Sequence, residues 1–108
     1  MNALEAMNPA LPLDMVKLET KEQFEAEGKA MHNALPHFFT LFAKEGVTVY
    51  SVRQGDAPLL NLSVRPEGFV AHIVGACNRR PTDEELAAVT KLLADKGIET
   101  RYDPSSMA

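Results

Sequence analysis

Six polar side chains of this sequence could bind a ligand or take part in catalysis. They are His32, Asn33, His72, Asn78, Arg79 and Arg80. The last three directly precede a predicted helix, whose N-terminus together with two guanidinium groups would attract a phosphate or carboxylate. This pattern indicates an anion or nucleic-acid contact. The alternative is a turn, in which Asn78 adopts left-handed geometry and the arginines pair with surface carboxylates.

The sequence gives less support to a catalytic nucleophile or to a metal site. Cys77 is the only cysteine, and a nearby imidazole could lower the pKa of its thiol, but no motif spacing joins it to a histidine. We therefore favour Cys77 as a small buried apolar residue. A zinc site built from His32, His37 and His72 would lack a fourth ligand. No metal and no cofactor is predicted, and the sequence leans against an enzyme without deciding the question.

Composition limits the class of protein. The chain has 108 residues, of which 45% are hydrophobic, and a net charge of −4, which fits one small globular domain and argues against a nonspecific DNA-coating protein. One cysteine cannot form an internal disulfide, so an oxidising compartment is not indicated. The N-terminal stretch lacks the basic start and long apolar run of a signal peptide, and no membrane span is visible. The expected location is the cytoplasm.

Two helices are predicted in the first half of the chain. Thr20 and Gln23 have the spacing of a capping box, which places a helix start at Thr20. Pro36 should end or kink this helix near Leu35, or else begin a second helix that stops at Gly46. The apolar face of that second helix is predicted to be Phe38, Leu41 and Phe42.

The second half predicts three strands and a closing helix. The strands run over Val47–Arg53, Leu59–Val64 and Phe69–Val74, with short links that favour an antiparallel meander. In the third strand Phe69, Ala71 and Ile73 should share one face, with His72 on the other. Thr82 and Glu85 cap the last helix, whose inward stripe is Leu86, Val89 and Leu93.

The predicted fold is therefore α+β, with the order α-α-β-β-β-α and the helices packed on one face of a small antiparallel sheet. A short edge strand is expected at each end, at Met15–Leu18 and Ile98–Tyr102. Residues 1–14 are predicted to form a flexible arm, residues 15–102 the single domain, and residues 103–108 a tail.

Three stretches together resemble the PcfJ-like domain family of conjugative plasmids, phages and other mobile elements. They are LETKEQFEAEGKAMHNAL, VTVYSVRQGDAPLLNLSV and EGFVAHIVGACNRRPTDEELAAV. The resemblance covers roughly Val16 to Ile98. Its strongest matches are Glu27-Gly28, Met31, Tyr50-Ser51, Gly75, Asn78-Arg79 and Pro81.

The chain departs from the family pattern at three positions and keeps a usual residue at a fourth. Ala34 stands where the family has a cysteine, Asn33 where a histidine or asparagine is usual, Ser63 where an acid is expected, and His72 in place of a glutamine. The resemblance implies a degenerate copy with a mobile-element origin. Our leading prediction is a small non-catalytic binding protein that modulates a host system in the bacterial cytoplasm.

The predicted partner is a protein of the host or of the mobile element, and the alternative partner is a nucleic acid bound through Arg79 and Arg80. No membrane contact is predicted. The alternative function is an enzyme or nucleotide-binding module with a polar site around His32, His72, Asn78 and Arg79.

Overall fold

The computed structural model describes residues 12–101, so the predicted tail and most of the predicted arm lie outside the described residues. The α+β class and the order α-α-β-β-β-α are confirmed, with a short strand added at each end. The elements are β1 Asp14–Leu18, α1 Lys21–Met31, α2 Phe39–Glu45, β2 Thr48–Gln54, β3 Ala57–Val64, β4 Phe69–Gly75, α3 Asp83–Asp95 and β5 Glu99–Thr100. Two 3₁₀ turns, at Leu35–Phe38 and Ala76–Asn78, precede α2 and α3.

The sheet has the strand order β1-β2-β3-β4-β5. Neighbouring strands from β1 to β4 are antiparallel, as predicted, whereas β5 lies parallel to β4 and pairs with it only at Phe69 and Val70. The sheet is therefore mixed. The parallel pair arises because the chain leaves β4, crosses the sheet through α3 and returns in the same direction.

The helices cover both faces of the sheet, where the sequence suggested one. On β3, Leu60 and Leu62 pack in one cluster with Val89 and Leu93 of α3. Asn61, between them, instead bonds to Glu27 of α1. Successive strand residues point to opposite faces, so α1 and α3 lie on opposite sides of the sheet. The sequence did not predict this second packed face, because polar residues interrupt the apolar pattern of the strands on the α1 side.

A register shift beside β4 changes which of its residues share a face. Val64 pairs with Val70, whereas the preceding Ser63 pairs with His72, so β4 carries one extra residue at this point. Val70 and Ile73 are both fully buried in the α3 cluster, although they are three residues apart. The predicted face of Phe69, Ala71 and Ile73 is therefore interrupted by a bulge. His72 keeps its predicted position opposite Ile73, on the α1 side.

Helix α1 begins with the predicted capping box, in which Thr20 Oγ1 accepts from Gln23 N at 3.1 Å and Gln23 Oε1 accepts from Thr20 N at 2.9 Å. It ends earlier than predicted, at Met31, and its C-cap His32 adopts left-handed geometry with φ 52°. Pro36 does not end α1; it lies in the first turn of the 3₁₀ segment Leu35–Phe38. This arrangement folds the segment back toward α1.

Gly28 is the point of closest approach between α1 and that segment. A Cβ atom at residue 28 would overlap Pro36 Cδ and lie 2.6 Å from Pro36 Cγ. Helix propensity alone predicts that Gly28→Ala stabilises the protein by about 1 kcal/mol. Because the alanine methyl would displace the Pro36 ring, we expect a net loss of about 1–2 kcal/mol instead, measured by urea denaturation.

Two variants make that result specific. Lys29→Ala, at an exposed position of the same helix, should change the free energy of unfolding by less than about 0.5 kcal/mol. The double variant Gly28→Ala/Pro36→Ala should lose less than the two single variants combined, because the ring that the methyl meets is gone. A stabilised Gly28→Ala protein would contradict the close contact.

None of the helices within residues 12–101 is long and apolar enough to cross a membrane.

Candidate functional site

Helix α2 rests on the α1 side of the sheet through two aromatic side chains. Phe39 and Phe42 pack against the buried cluster of Leu18, Phe24, Leu35 and Val49, and the Phe39 ring meets the Phe24 ring edge-on at 5.1 Å. Phe38 and Leu41, which the sequence placed on the inward face, are 41% and 46% exposed. Phe38 belongs to the 3₁₀ turn, whose tighter winding changes the direction of its side chain. Within α2 the inward positions are Phe39 and Phe42, which leaves Leu41 outside.

A groove opens between this segment and strands β3 and β4. We call it the Asn33 groove, and its volume is about 180 Å³. Its wall and floor are formed by Asn33, Ala34, Leu35, Phe38, Phe42, Asn61, Ser63, His72 and Val74. The rings of Phe38 and Phe42 stack at 5.4 Å on one side. The lining combines apolar groups with a few neutral polar ones, the usual character of a ligand site, and contains no Asp, Glu, Lys or Arg.

Two of the six predicted site residues, Asn33 and His72, line this groove. His72 is exposed and lies directly across from Ser63 on the neighbouring strand. His32 precedes Asn33 but ends α1 as its left-handed cap and is not part of the lining. Asn78, Arg79 and Arg80 are absent from the lining as well, so the structure brings together one part of the predicted set.

A chain of hydrogen bonds runs behind the groove, and we call it the Glu27 chain. Arg53 Nη2 donates to Glu27 Oε1 at 3.3 Å, and Asn61 Nδ2 donates to Glu27 Oε2 at 2.7 Å. Asn33 Nδ2 donates to Asn61 Oδ1 at 2.9 Å, and Asn33 Oδ1 accepts from Leu35 N at 3.1 Å. The chain thus links α1, two strands and the groove wall through the buried groups of Glu27 and Asn61 and the partly buried groups of Arg53 and Asn33.

The direction of every bond in the Glu27 chain is fixed from its two ends. At one end the Glu27 carboxylate can only accept, and at the other the backbone N–H of Leu35 can only donate. Both amides between them must therefore be oriented as observed. Glu27 is 3% and Asn61 5% exposed, so an unmet bond at either would be costly. The chain holds Asn33 in one orientation at the edge of the groove.

Arg79 is occupied by an ion pair with Glu85 of α3. Its Nη1 donates to Glu85 Oε1 at 2.7 Å and its Nη2 donates to Glu85 Oε2 at 2.9 Å, while Oε1 also accepts from Thr82 N at 2.8 Å. These hydrogen bonds raise the pKa of the Arg79 guanidinium above its usual value, outweighing the lowering by burial. The predicted capping box of Thr82 and Glu85 is confirmed and extended by an arginine.

The ion pair between Arg79 and Glu85 opposes the predicted binding of an anion at the start of α3. An anion at this helix start would compete with the fully buried Glu85 carboxylate for Arg79, and would meet Asp83 and Glu84 in the same helical turn. Like charges at these positions oppose its binding. Arg80 is exposed and remains the accessible cation of the predicted pair.

The turn before Arg79 contains two residues with left-handed backbone geometry. Asn78, with φ 61°, follows the prediction that asparagine tolerates this region. Cys77, with φ 56°, shares the geometry and is exposed, so the prediction of a buried apolar cysteine is wrong. The reason is local: Ala76 is the buried residue, and the turn carries the next side chain outward.

Sequence reasoning missed Glu27, Asn61 and Arg53 as neighbours, and Ser63 as part of the groove. Glu27 and Asn61 are 34 positions apart, so no local spacing connects them. One signal was present. Asn61 and Ser63 alternate with Leu60 and Leu62 along β3, and Ser51 of β2 lies across from Asn61, so the three polar residues share the face opposite the leucines. Such a polar stripe on a covered face requires buried hydrogen-bonding partners.

Within the described part of the chain, no three His, Cys, Asp or Glu side chains lie close enough together to hold a metal ion. A scan against protein-family models, a search of curated proteins and a search of solved structures each found no match. The resemblance to the PcfJ-like domain family therefore stays a prediction that rests on the quoted residues.

Proposed function

We propose that the protein is a small binding module that holds an apolar side chain of a protein partner in the Asn33 groove. One observation carries the proposal. Phe38 and Leu41 are the large hydrophobic side chains that the described residues expose, and Phe38 forms the groove wall with Leu41 three residues further along. Clustered exposed apolar groups beside a concave surface are typical of protein-binding sites.

The charge of the groove favours a protein over a nucleic acid. No Lys or Arg lines it, and the chain as a whole has a net charge of −4, whereas nucleic-acid sites neutralise phosphates with basic side chains. Arg79, half of the basic pair proposed for a nucleic acid, is already bonded to Glu85. A neutral groove with apolar walls instead suits an uncharged anchor residue of a protein.

The cellular context of this binding activity is inferred from the resemblance to the PcfJ-like domain family. In a protein of mobile-element origin, the partner would be a host or element protein in the bacterial cytoplasm, and binding would modulate a host system without catalysis. The alternative of an enzyme or nucleotide-binding module needs His32, His72, Asn78 and Arg79 to act together. Of these four only His72 lines the groove, so the alternative has less support.

The test is capture of partners from host lysate with three baits. We expect the wild type and Thr90→Asp to retain the same protein, and Leu41→Asp to lose at least tenfold of it, because a carboxylate beside the groove opposes burial of an apolar anchor. Thr90 is exposed on α3, on the opposite face of the sheet, so its variant carries the same added charge.

Nuclease treatment should leave the captured protein in place. Equal capture by all three baits, or material that nuclease removes, would count against the groove as a protein-binding site. Because both substituted residues are exposed, matched melting temperatures provide the check that each bait is folded.

A further inference from the structure

Helix α2 differs from the other two helices in how it is held. Helix α1 buries Phe24, Glu27, Gly28 and Met31, and α3 buries Glu85, Val89 and Leu93. Helix α2 has seven residues and none of them is fully buried. Few buried apolar contacts mean a low free energy of local opening, well below that of global unfolding.

A second hollow lies on the other side of α2. It has a volume of about 210 Å³, and its floor is formed by Leu18 of β1, by Val47 and by Thr48, the first residue of β2. Phe42 lines both this hollow and the Asn33 groove. Side chains pack less tightly around such voids, so α2 is held over the sheet mainly by Phe39 and Phe42, with open space on either side of Phe42.

The connections at both ends of α2 allow it to move as a unit. At its start, the 3₁₀ turn with Pro36 is fixed against Gly28 of α1. At its end, α2 stops at Gly46, whose φ of 73° glycine adopts without strain; because glycine has no side chain, its backbone angles can change at low cost. Hinges are short segments of this kind at the ends of an element.

We infer that α2 is a lid that opens by rotating away from the sheet, withdrawing Phe39 and Phe42 and joining the two hollows into one. The part of the Asn33 groove wall that Phe42 forms moves with it, because Phe42 belongs to α2. The open state is reached without unfolding of α1, α3 or the sheet. This inference goes beyond the proposed function and does not depend on any partner.

The test is thiol labelling of two cysteines, one beneath α2 and one on the face of α3 that packs against the sheet. In a Cys77→Ser background, Val49→Cys places a thiol in the cluster under α2, and Val89→Cys places one on α3 against the sheet. Both valines are at most 1% exposed. With 5,5′-dithiobis(2-nitrobenzoic acid) under native conditions, we expect the thiol of Val49→Cys to react at least tenfold faster than that of Val89→Cys, relative to their unfolded rates.

The denaturant dependence of labelling distinguishes local from global opening. The labelling rate of Val49→Cys should change little with low concentrations of urea, whereas that of Val89→Cys should rise steeply, as expected for exposure by global unfolding. Equal protection of the two thiols, or the same steep urea dependence for both, would overturn the lid. If Val49→Cys does not fold, Leu18→Cys in the same cluster takes its place. No partner is needed, so failure here is distinguishable from failure of the proposed function.

Discussion

Replacing Arg79 by alanine should lower the free energy of unfolding by about 3–5 kcal/mol, the largest effect we expect from one substitution in this protein. The change leaves the Glu85 carboxylate, which is fully buried, without the bidentate guanidinium that compensates its charge. The arginine also packs over Gly75, where an added Cβ would lie 2.7 Å from Arg79 Cζ. Urea denaturation followed by circular dichroism measures the loss.

Two comparisons separate this ion pair from a general effect of losing a positive charge. Arg80→Ala removes the same charge from the next, exposed residue and should change stability by less than about 0.5 kcal/mol. Arg79→Lys keeps the charge but not the two parallel bonds, and should fall between the wild type and Arg79→Ala. Similar losses in Arg79→Ala and Arg80→Ala would show that the pair contributes nothing specific.

The contribution of Arg79 has a definite dependence on pH. Its pKa is higher in the folded protein than in the unfolded chain, so its stabilisation is fully present below the ordinary arginine pKa. It is lost only as the pH rises through the raised value. Titration of Arg79 therefore adds no pH dependence to the difference between wild type and Arg79→Ala over the neutral range.

The second large effect is expected for Glu27→Ala, a loss of about 2–3 kcal/mol. The substitution removes the acceptor for Asn61 Nδ2 and for Arg53 Nη2. Asn61 is buried and loses a short bond, which accounts for most of the loss. The Arg53 side chain is 32% exposed and can turn to water, which keeps the effect below that of Arg79→Ala.

Glu25→Ala is the matched control, because it removes an exposed carboxylate from the same helix and should be nearly neutral. Glu27→Gln gives a more specific test. The glutamine amide can accept only at its one oxygen, so either Asn61 Nδ2 or Arg53 Nη2 loses its acceptor. If Asn61 turns its oxygen toward the glutamine NH₂ group, it can no longer accept from Asn33 Nδ2. If Glu27→Gln proves as stable as the wild type, the fixed bond directions are not needed.

Local sequence signals predicted the elements of this fold well. The two capping boxes at Thr20 and Thr82 and the stop at Gly46 each depend on residues a few positions apart, and all three are present. The strands of the central meander lie within a few residues of their predicted bounds. The caps and the stop are decided by hydrogen bonds within one helical turn, and the strands by alternating apolar residues between turn residues, so a short sequence window contains each signal.

Features that depend on distant residues could not be predicted in this way. The bulge beside His72, the parallel pairing of β5 and the second covered face of the sheet arise from packing between elements. The candidate site shows the same division. Asn33 and His72 stood out by residue type, but their meeting with Asn61 and Ser63 required the register of β3 with β4. Arg79 stood out as well, and its partner Glu85 was predicted only as a cap.

The turns of the central sheet have a consequence for how the chain folds. β2, β3 and β4 are joined by turns at Gly55-Asp56 and Arg65–Gly68, so their pairings close short loops and lose little chain entropy. β1 reaches β2 only across α1 and α2, and Glu27 meets Asn61 across 34 residues. Contacts of longer range form later on average. Substitutions in the Glu27 chain should therefore act mainly by accelerating unfolding, and leave the rate of folding almost unchanged.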